Sequence, residues 1–322
     1  MSVAARPTVW RILAWAGAGL ALIAALGVAA SWEPDRPAAV LEARWALPPS
    51  TFIDVKGQRV HLRDEGPRAD SSPILLIHGT SASLHTWDGW AERLRGRRRV
   101  IRFDLPGFGL TGPNASGDYS DAAHARFAID VADALGLPRF VVGGNSLGGE
   151  IAWRTALLAP QRVERLILVD AAGYAFVPES IPLGFRLAYS PVTSWLVETT
   201  LPRALVESSV RDVYGEPGRV TPALVDRYFD LTLRAGNRRA LVQRLAQFVP
   251  GEDAARIREL KLPTLILWGG RDRLIPPANA RRFAADIAGS QLVLFDTLGH
   301  VPHEEDPAAT VAPVRRFLGL PP

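Results

Sequence analysis

The sequence predicts an α/β fold: a mostly parallel central sheet with helices on both faces, an inserted helical stretch and an N-terminal transmembrane helix. Short apolar runs alternate with helical patterns along most of the chain, which is typical of a parallel sheet covered by helices. That rhythm stops between Tyr174 and about Glu252, where the sequence is helical and has no clear apolar strand. An uncharged run, Ile12–Ala30, precedes the alternating part.

The uncharged run is long enough to cross a bilayer, which takes about 20 apolar residues. Arginines precede it and acidic residues follow it, so the N-terminus should stay in the cytoplasm and the rest of the chain should lie outside. The competing interpretation is a signal peptide cleaved after Ala30, whose neighbours Val28 and Ala29 are also small. Signal peptides usually have apolar regions of only about 7–15 residues, so we favour an uncleaved anchor within residues 1–32.

The elements after the anchor follow in a simple order. Residues 33–50 contain four prolines and are typical of a linker. Residues 51–173 and 254–322 are predicted to form the α/β core, with the helical stretch 174–253 inserted between them. Strands are expected at Thr51–Val55, Val60–Asp64, Ile74–Ile77, Val100–Phe103, Phe140–Val142, Leu166–Val169, Thr264–Trp268 and Gln291–Phe295. Helices are expected at Trp87–Leu94, Asp121–Leu135, Leu147–Leu158, Ala278–Ile287 and Thr310–Leu318.

Composition excludes several classes of function. The net charge of +4 is small for 322 residues, and the one dense basic run, Arg95–Arg99, has no aromatic residues among its arginines, so nucleic acid is not expected as a partner. The chain has no cysteine, which excludes a thiol nucleophile, disulfides and thiolate metal sites. Its six histidines form no His-Glu-x-x-His pair, the pattern of zinc proteases.

One candidate nucleophile stands where a predicted strand becomes a helix. Gly144-Asn145-Ser146-Leu147-Gly148 has the form G-x-S-x-G, the pattern of a tight turn called a nucleophile elbow. Glycines flank such a serine because a Cβ would collide with the adjoining strand or helix. The following helix N-terminus favours negative charge near the serine. Alone, so short a pattern also fits an ordinary turn.

The ends of other predicted strands supply the remaining parts of an acyl-transfer site. Asp272 follows Thr264–Trp268, and His300 follows Gln291–Phe295. His78-Gly79-Thr80 follows Ile74–Ile77. A serine nucleophile needs a base, a group that orients the base and an oxyanion hole. The chain order Ser146, Asp272, His300 is the order Ser…Asp…His of α/β-hydrolases.

The sequence resembles the α/β-hydrolase fold family of serine hydrolases, in its esterase, haloperoxidase and C–C hydrolase branch, from about Thr51 to the C-terminus. The resemblance implies an inserted helical cap at residues 174–253 and a catalytic triad of Ser146, Asp272 and His300, with oxyanion-hole donors at the backbone N–H groups of Thr80 and Leu147. No metal-ligand motif is found, and no metal or cofactor is expected. The segments that carry it are HGTSASLHTW, FDLPGFGLT, VVGGNSLGG, LILVDAAG, LILWGGRD and GHVPHEEDP.

The acid and the base of the expected triad each have an alternative residue. Asp170 competes with Asp272 as the acid, because some relatives carry the acid after the preceding strand. His303 competes with His300 as the base. Four further residues are expected to shape loops rather than react, namely His78, Asp104, Glu304 and Glu305.

The expected function is hydrolysis of carboxylic esters through an acyl-enzyme, with a small-molecule ester and the membrane as partners. Ser146 stands where haloalkane dehalogenases and epoxide hydrolases of this fold carry Asp. C–C bond hydrolysis of vinylogous diketones is the alternative: Asn145 resembles the GNSxGG pattern of those enzymes, but Val301 stands where they carry Trp. A third hypothesis is a non-catalytic, membrane-anchored binding protein. The expected location is the membrane, with the catalytic domain outside the cytoplasm, or the secreted or periplasmic space after signal cleavage.

Overall fold

The computed structural model describes residues 6–321, and its centre is one eight-stranded sheet. The strands are β1 Ser50–Val55, β2 Gln58–Glu65, β3 Ile74–Ile77, β4 Val100–Phe103, β5 Phe140–Asn145, β6 Val163–Val169, β7 Thr264–Gly269 and β8 Gln291–Phe295. Their order across the sheet is β1-β2-β4-β3-β5-β6-β7-β8.

The sheet is antiparallel at one edge and parallel elsewhere. Strand β2 pairs antiparallel with β1 and β4, and all other neighbouring strands are parallel. Every residue of β3, β4, β5 and β7 is buried, as expected of strands covered on both faces. The carboxyl ends of the six parallel strands therefore meet along one edge, where the predicted site residues follow them.

The helices lie before, between and after these strands. They are α1 Arg6–Ala30, α2 Ala38–Trp45, α3 Asp88–Leu94, α4 Asp121–Ala134, α5 Leu147–Leu158, α6 Leu183–Tyr189, α7 Ser194–Thr199, α8 Arg203–Val213, α9 Pro222–Thr232, α10 Asn237–Gln247, α11 Ala278–Asp286, α12 Pro302–Glu305 and α13 Pro307–Phe317. Short 3₁₀ helices span Leu84–Trp87, Pro217–Arg219 and Ala254–Glu259.

Two apolar clusters cover the two faces of the sheet. Leu75 and Ile77 of β3 pack in one cluster with residues of α4, α5 and α11. Ile74 and Leu76 of the same strand pack in the other with residues of α3 and α13. Alternate residues of a strand point to opposite faces, so a strand apolar at every position is buried between two helical layers. The predicted α/β class is confirmed.

Five helices, α6 to α10, lie between β6 and β7 and fall within the predicted cap, residues 174–253. Among the described residues, this stretch adds no strand to the sheet. The division of the chain into a core and a separate cap domain stays a prediction.

The N-terminal helix α1 matches the predicted apolar segment. Within it, Val9–Ala30 is long and apolar enough to cross a membrane, and its side chains are almost all exposed. Residues 1–5 of the predicted anchor segment lie outside the described residues.

The predicted linker, residues 33–50, contains the helix α2 and contacts the inserted helices. Asp230 of α9, which is 2% exposed, binds three side chains of this segment. Arg36 Nη1, Arg44 Nη1 and Trp45 Nε1 donate to its carboxylate over 2.5, 2.7 and 2.9 Å. Leu41 of α2 is also buried. Asp230 lies about 190 residues from these three donors in the sequence. Their packing therefore leaves no local pattern that sequence reasoning detects.

Candidate active site

Ser146 occupies the turn between β5 and α5. Its backbone angles are φ 55° and ψ −119°, a positive-φ conformation that residues with a side chain rarely adopt. A Cβ at Gly144 would lie within 3.0 Å of the Gly148 backbone, and a Cβ at Gly148 within 3.0 Å of the Ile77 backbone. The turn can therefore be this tight only with glycine at both positions, and it leaves Ser146 partly exposed while its neighbours are buried. This is the conformation expected of a nucleophile elbow.

His300 and Asp272 form a hydrogen-bonded pair beyond the ends of β8 and β7. His300 Nδ1 lies 2.7 Å from Asp272 Oδ2, and the residues are 4% and 2% exposed. The other carboxylate oxygen, Oδ1, accepts from the N–H groups of Leu274 and Ile275 at 2.9 Å each. The carboxylate is thus fixed by its own loop and fixes the ring in turn. When Nδ1 carries the hydrogen and donates it in this bond, Nε2 keeps a free lone pair and can accept a proton.

Asp170, the alternative acid, lies beside this pair. It follows β6, is fully buried, and its Oδ1 accepts from the Gly269 N–H at 2.9 Å. One oxygen of Asp170, one oxygen of Asp272 and a ring nitrogen of His300 lie within 4.8 Å of one another. Burial, together with the neighbouring Asp272 carboxylate, raises the pKa of Asp170 well above its ordinary value. The raised pKa favours the neutral form of Asp170, and Asp272 is the carboxyl group that bonds to the imidazole.

Asn145 holds the elbow against the His300 loop, a role that its resemblance to other sequences did not suggest. Its Nδ2 donates to the backbone carbonyls of His300 at 2.9 Å and Val169 at 3.1 Å. An asparagine at the end of a buried strand, next to the candidate nucleophile, is the one sequence signal that points to it. Among residues 6–321, the Ser146 hydroxyl makes no hydrogen bond. Catalytic hydrogen bonds are often long in a free enzyme and tighten when substrate binds.

Of the two predicted oxyanion-hole residues, Leu147 belongs to the elbow and Thr80 follows a glycine that contacts it. Leu147 is the first residue of α5, so its N–H has no partner within the helix. Thr80 follows Gly79, and a Cβ added to Gly79 would lie 3.1 Å from Ser146 Cβ. The β3 loop therefore runs directly against the elbow. A residue with a side chain in place of Gly79 would therefore crowd Asn145 and Ser146.

His78 and Asp104 hold the loops around this site. His78 is fully buried; its Nδ1 donates to the Gly79 carbonyl at 2.7 Å, and its Nε2 accepts from the Leu105 N–H at 3.0 Å. Burial lowers the pKa of His78, which keeps the ring neutral. Asp104 accepts from three donors at 2.7 Å each, and although burial opposes its charge, the His61 imidazole holds the pKa of Asp104 below its ordinary value. Those donors are the N–H groups of Leu84 and Leu110 and His61 Nδ1.

His303, the rival base, lies in an aromatic cluster away from Asp272. Its Nε2 lies 3.0 Å from Thr86 Oγ1, and its ring centroid is 4.0 Å from that of Trp87. The residue is fully buried, and burial lowers its pKa well below the ordinary value. The structure therefore pairs His300, and not His303, with Asp272.

The inserted helices contact the His300 loop directly. The His300 N–H donates to the carbonyl of Val213, the last residue of α8, at 2.8 Å. Glu305 accepts from the N–H groups of Gly299 and Gly215 at 2.9 and 3.0 Å. The neighbouring Glu304 accepts from side chains of the same insertion: Arg227, Tyr228 and Tyr214. Both glutamates thus brace the loop, as the sequence predicts.

The same acidic and imidazole groups have the composition of a metal site, but their spacing favours a hydrogen bond. Asp170, Asp272 and His300 each offer one ligand atom. Two ligands at about 2.0–2.2 Å from a tetrahedral zinc ion stand more than about 3 Å apart. The 2.7 Å between His300 and Asp272 is instead the length of a charge-assisted hydrogen bond.

The fold and these side chains define an α/β hydrolase. A sequence model of the alpha/beta hydrolase fold family matches residues 72–307, and the chain belongs to that family. An uncharacterized protein of Mycobacterium tuberculosis is 35% identical over 289 residues, which cover 85% of this chain and 82% of that protein. 2-Hydroxymuconate semialdehyde hydrolase of Pseudomonas putida is 30% identical over 273 residues, 81% of this chain and 91% of that enzyme. Lipase 1 of Psychrobacter immobilis is 31% identical over 247 residues, 75% of each chain.

Similar solved structures also include a lipid hydrolase and a meta-cleavage product hydrolase. A membrane phospholipase A superposes with a TM-score of 0.70 at 25% identity, covering 97% of this chain and 96% of that one. A meta-cleavage product hydrolase from Pseudomonas fluorescens superposes with a TM-score of 0.71 at 25% identity, covering 84% and 97%. The chain is therefore a hydrolase whose relatives include both lipases and C–C hydrolases.

Proposed function

We propose that the protein is a serine hydrolase that cleaves carboxylic esters through an acyl-enzyme. The observation that carries this proposal is the His300–Asp272 pair, whose bonded atoms lie 2.7 Å apart. Asn145 bonds the backbone of His300 to the strand that ends in the Ser146 turn. A serine at a positive-φ turn, a buried oriented imidazole and a helix N-terminus are the three parts that acyl transfer requires.

The reaction follows from these positions. Ser146 Oγ attacks the ester carbonyl carbon while His300 Nε2 takes the hydroxyl proton, and Asp272 stabilises the resulting imidazolium through the Nδ1 bond. The carbonyl oxygen becomes negative and accepts hydrogen bonds from the N–H groups of Thr80 and Leu147. The C–O bond to the alcohol breaks, and the alcohol leaves with the proton from His300. Water, deprotonated by the same imidazole, then releases the acid and restores Ser146.

Cleavage of a carbon–carbon bond in a vinylogous diketone is the second candidate. The similarity to 2-hydroxymuconate semialdehyde hydrolase over 91% of that enzyme favours it. The same triad serves both reactions, so the pocket lining decides between them. Val301, which follows His300 in the sequence, stands where that branch is expected to carry tryptophan, and this departure favours the ester.

Turnover of a water-soluble chromogenic ester and of a vinylogous diketone by the purified full chain separates these candidates. Ester cleavage that disappears in Ser146→Ala supports the proposed function. Diketone cleavage with no ester cleavage supports the alternative. Turnover of neither substrate, by a folded protein that still binds one of them, supports a non-catalytic binding protein.

We further infer that α1 anchors the protein in a membrane, with the hydrolase part outside the cytoplasm. Its exposed apolar surface and the arginines that precede the uncharged run support this location. The similarity to a membrane phospholipase A over 97% of this chain, a span that reaches into α1, favours it too. A mature N-terminus at Ser31 would instead indicate a cleaved signal peptide and a secreted or periplasmic enzyme.

A further inference from the structure

Exposed apolar side chains are concentrated in one stretch of the inserted helices. Beyond α1, the described residues include eleven large apolar side chains that are exposed. Six of the eleven fall within residues 177–195, which include α6 and α7. They are Val177, Ile181, Leu183, Tyr189, Val192 and Trp195, and we call them the apolar cap surface. Val192 is 79% exposed and Val177 is 86% exposed, values more typical of charged residues.

Charged residues are scarce in the stretch of sequence that carries this surface. Residues 174–200 contain only Glu179, Arg186 and Glu198, although 22% of the whole chain is charged. Soluble monomers rarely expose a large contiguous apolar patch, and such patches mark sites of interaction with a protein or a membrane. Tyr189 and Trp195 belong to the residue types that prefer the headgroup region of a bilayer.

The membrane helix ends beside this surface. The Glu33 N–H donates to the Thr199 carbonyl at 3.2 Å, and the Leu201 N–H donates to the Ser31 carbonyl at 3.3 Å. Trp32 forms a bridge with Thr200, directly after α7. Trp32 is itself 58% exposed. Because no free tether separates α1 from α7, the apolar cap surface lies where α1 leaves the bilayer.

The other end of the surface adjoins the candidate active site. The N–H groups of Glu179 and Ser180 both donate to the carbonyl of Arg273, at 2.9 and 3.0 Å. Arg273 is the residue after Asp272. The apolar cap surface therefore extends from the end of α1 to the loop that carries the catalytic acid.

We propose that the apolar cap surface rests in the interfacial layer of the bilayer that α1 enters, and that the enzyme takes apolar esters from that layer. This proposal rests on the proposed anchor and ester hydrolase. A bilayer is the occupant chosen because α1 ends at the surface, because the segment that carries the surface has few charged residues, and because its aromatic residues are of the interfacial type.

The absence of cysteine in the sequence allows a direct test with single labelled positions. Val192→Cys, Leu158→Cys and Leu20→Cys in the full chain each carry one environment-sensitive fluorophore after reconstitution into phosphatidylcholine vesicles. Leu158 is the matched control, since it is 48% exposed but lies at the end of α5. Leu20 lies in the middle of α1. We expect doxyl-labelled lipid to quench the labels at positions 192 and 20, and aqueous iodide to quench the label at 158.

The outcomes separate this inference from the proposed anchor. A Leu20 label that iodide reaches would overturn the anchor, and with it the cap surface proposal. A Leu20 label within the lipid and a Val192 label as accessible to iodide as the Leu158 label would overturn the cap surface proposal alone.

Activity gives an independent readout. Val192→Asp should lower hydrolysis of a long-chain ester dissolved in the vesicles by at least about tenfold, because it puts a charge where the proposal places an apolar side chain in the lipid. It should change hydrolysis of a water-soluble short-chain ester by less than about twofold, since the site itself is untouched. Equal loss on both substrates would indicate a structural role and contradict the proposal. Absence of soluble-ester hydrolysis in the unsubstituted protein would instead refute the ester hydrolase.

Discussion

Asp170 and Asp272 come from the ends of adjacent parallel strands and present their carboxyl groups to each other and to one imidazole, all within 4.8 Å. Two buried carboxylates this close cannot both be ionised without a large electrostatic cost. Burial and the neighbouring Asp272 raise the pKa of Asp170, which favours its neutral form, while His300 bonds to Asp272. Asp170 is thus a neighbour of the proposed triad and not the partner of its imidazole.

This arrangement predicts unequal effects of replacing the two acids. Asp272→Asn should lower kcat by on the order of 10⁴, because an amide favours the wrong tautomer of His300. Asp170→Asn should lower it far less, since an amide keeps a neutral polar group beside Asp272. Steady-state kinetics on a chromogenic ester measures both. The reverse ranking would assign the acid to the strand before β7.

Replacement of the proposed nucleophile should lower kcat at least as much as replacement of the acid. Ser146→Ala should lower kcat by roughly 10⁴–10⁶, as at other Ser–His–Asp sites. The control is Ser116→Ala, a loop serine that bonds only to its neighbours. Circular dichroism should show both variants folded. A folded Ser146→Ala protein that keeps a tenth or more of the activity would refute the acyl-enzyme mechanism.

Glu150, four residues after Ser146, predicts a pH dependence of stability. It is 1% exposed, and burial together with the nearby Asp121 raises its pKa to about 8 from the ordinary value of 4.5. Arg154 and Arg244, which face it, act in the opposite direction. Between those two pH values the native state binds a proton that the unfolded state has lost, so the free energy of unfolding falls as the pH rises.

Glu150→Gln removes this linkage. The stability of the variant relative to the unsubstituted protein should increase by on the order of 1 kcal/mol per pH unit within that window. Urea unfolding at about pH 5 and about pH 7.5 measures the change. Glu92→Gln, at an exposed side chain, is the control and should show no such trend. A constant difference for Glu150→Gln across the range would contradict the raised pKa.

A chelator separates triad chemistry from metal chemistry at the same three side chains. Because His300 and Asp272 are bonded directly to each other, EDTA should leave ester hydrolysis unchanged within about twofold. Stoichiometric zinc or another divalent ion in the active protein, with loss of activity on its removal, would show that these groups bind a metal instead.

Removal of α1 should have different consequences at two starting points. A chain that begins at Ser31 keeps the donors of Asp230, whereas a chain that begins at Ala46 leaves that buried carboxylate without Arg36, Arg44 and Trp45. We expect the shorter chain to be less stable by about 2–3 kcal/mol, below the cost of breaking a fully buried pair because Arg44 is half-exposed. Thermal and urea unfolding provide the comparison.

A substitution at Asp230 shows whether the loss of stability comes from this carboxylate. Asp230→Asn in the shorter chain should recover part of the lost stability, because a neutral amide needs no cationic partner. The same substitution in the chain from Ser31 should destabilise it. Equal stability of the two chains would show that the segment before Ala46 acts only as a tether.

The sequence predicts the parts of the fold that have a local signal. Apolar runs ended by Gly, Asp or His located the parallel strands and, with them, Ser146, Asp272 and His300, because catalytic residues of this fold follow strand ends. The catalytic roles of these residues, and of Thr80 and Leu147, stay predictions that the variants above test.

The remaining features depend on residues far apart in the chain. Prolines around α2 suggested a linker, and its bonds to Asp230 lie beyond any sequence window. The sequence presented Asp170 and Asp272 as competitors, because only the spacing of neighbouring strands shows that their carboxyl groups share one environment. Asn145 bonds to a carbonyl 155 residues away, which no periodic pattern reveals.

The bond from His300 to Val213 has a consequence for engineering the inserted helices. The last residue of α8 supplies a backbone acceptor to the residue that we propose as the base. A substitution that displaces the end of α8 should therefore shift the backbone of His300 as well. Variants made there to alter substrate preference would change the alignment of the proposed base at the same time.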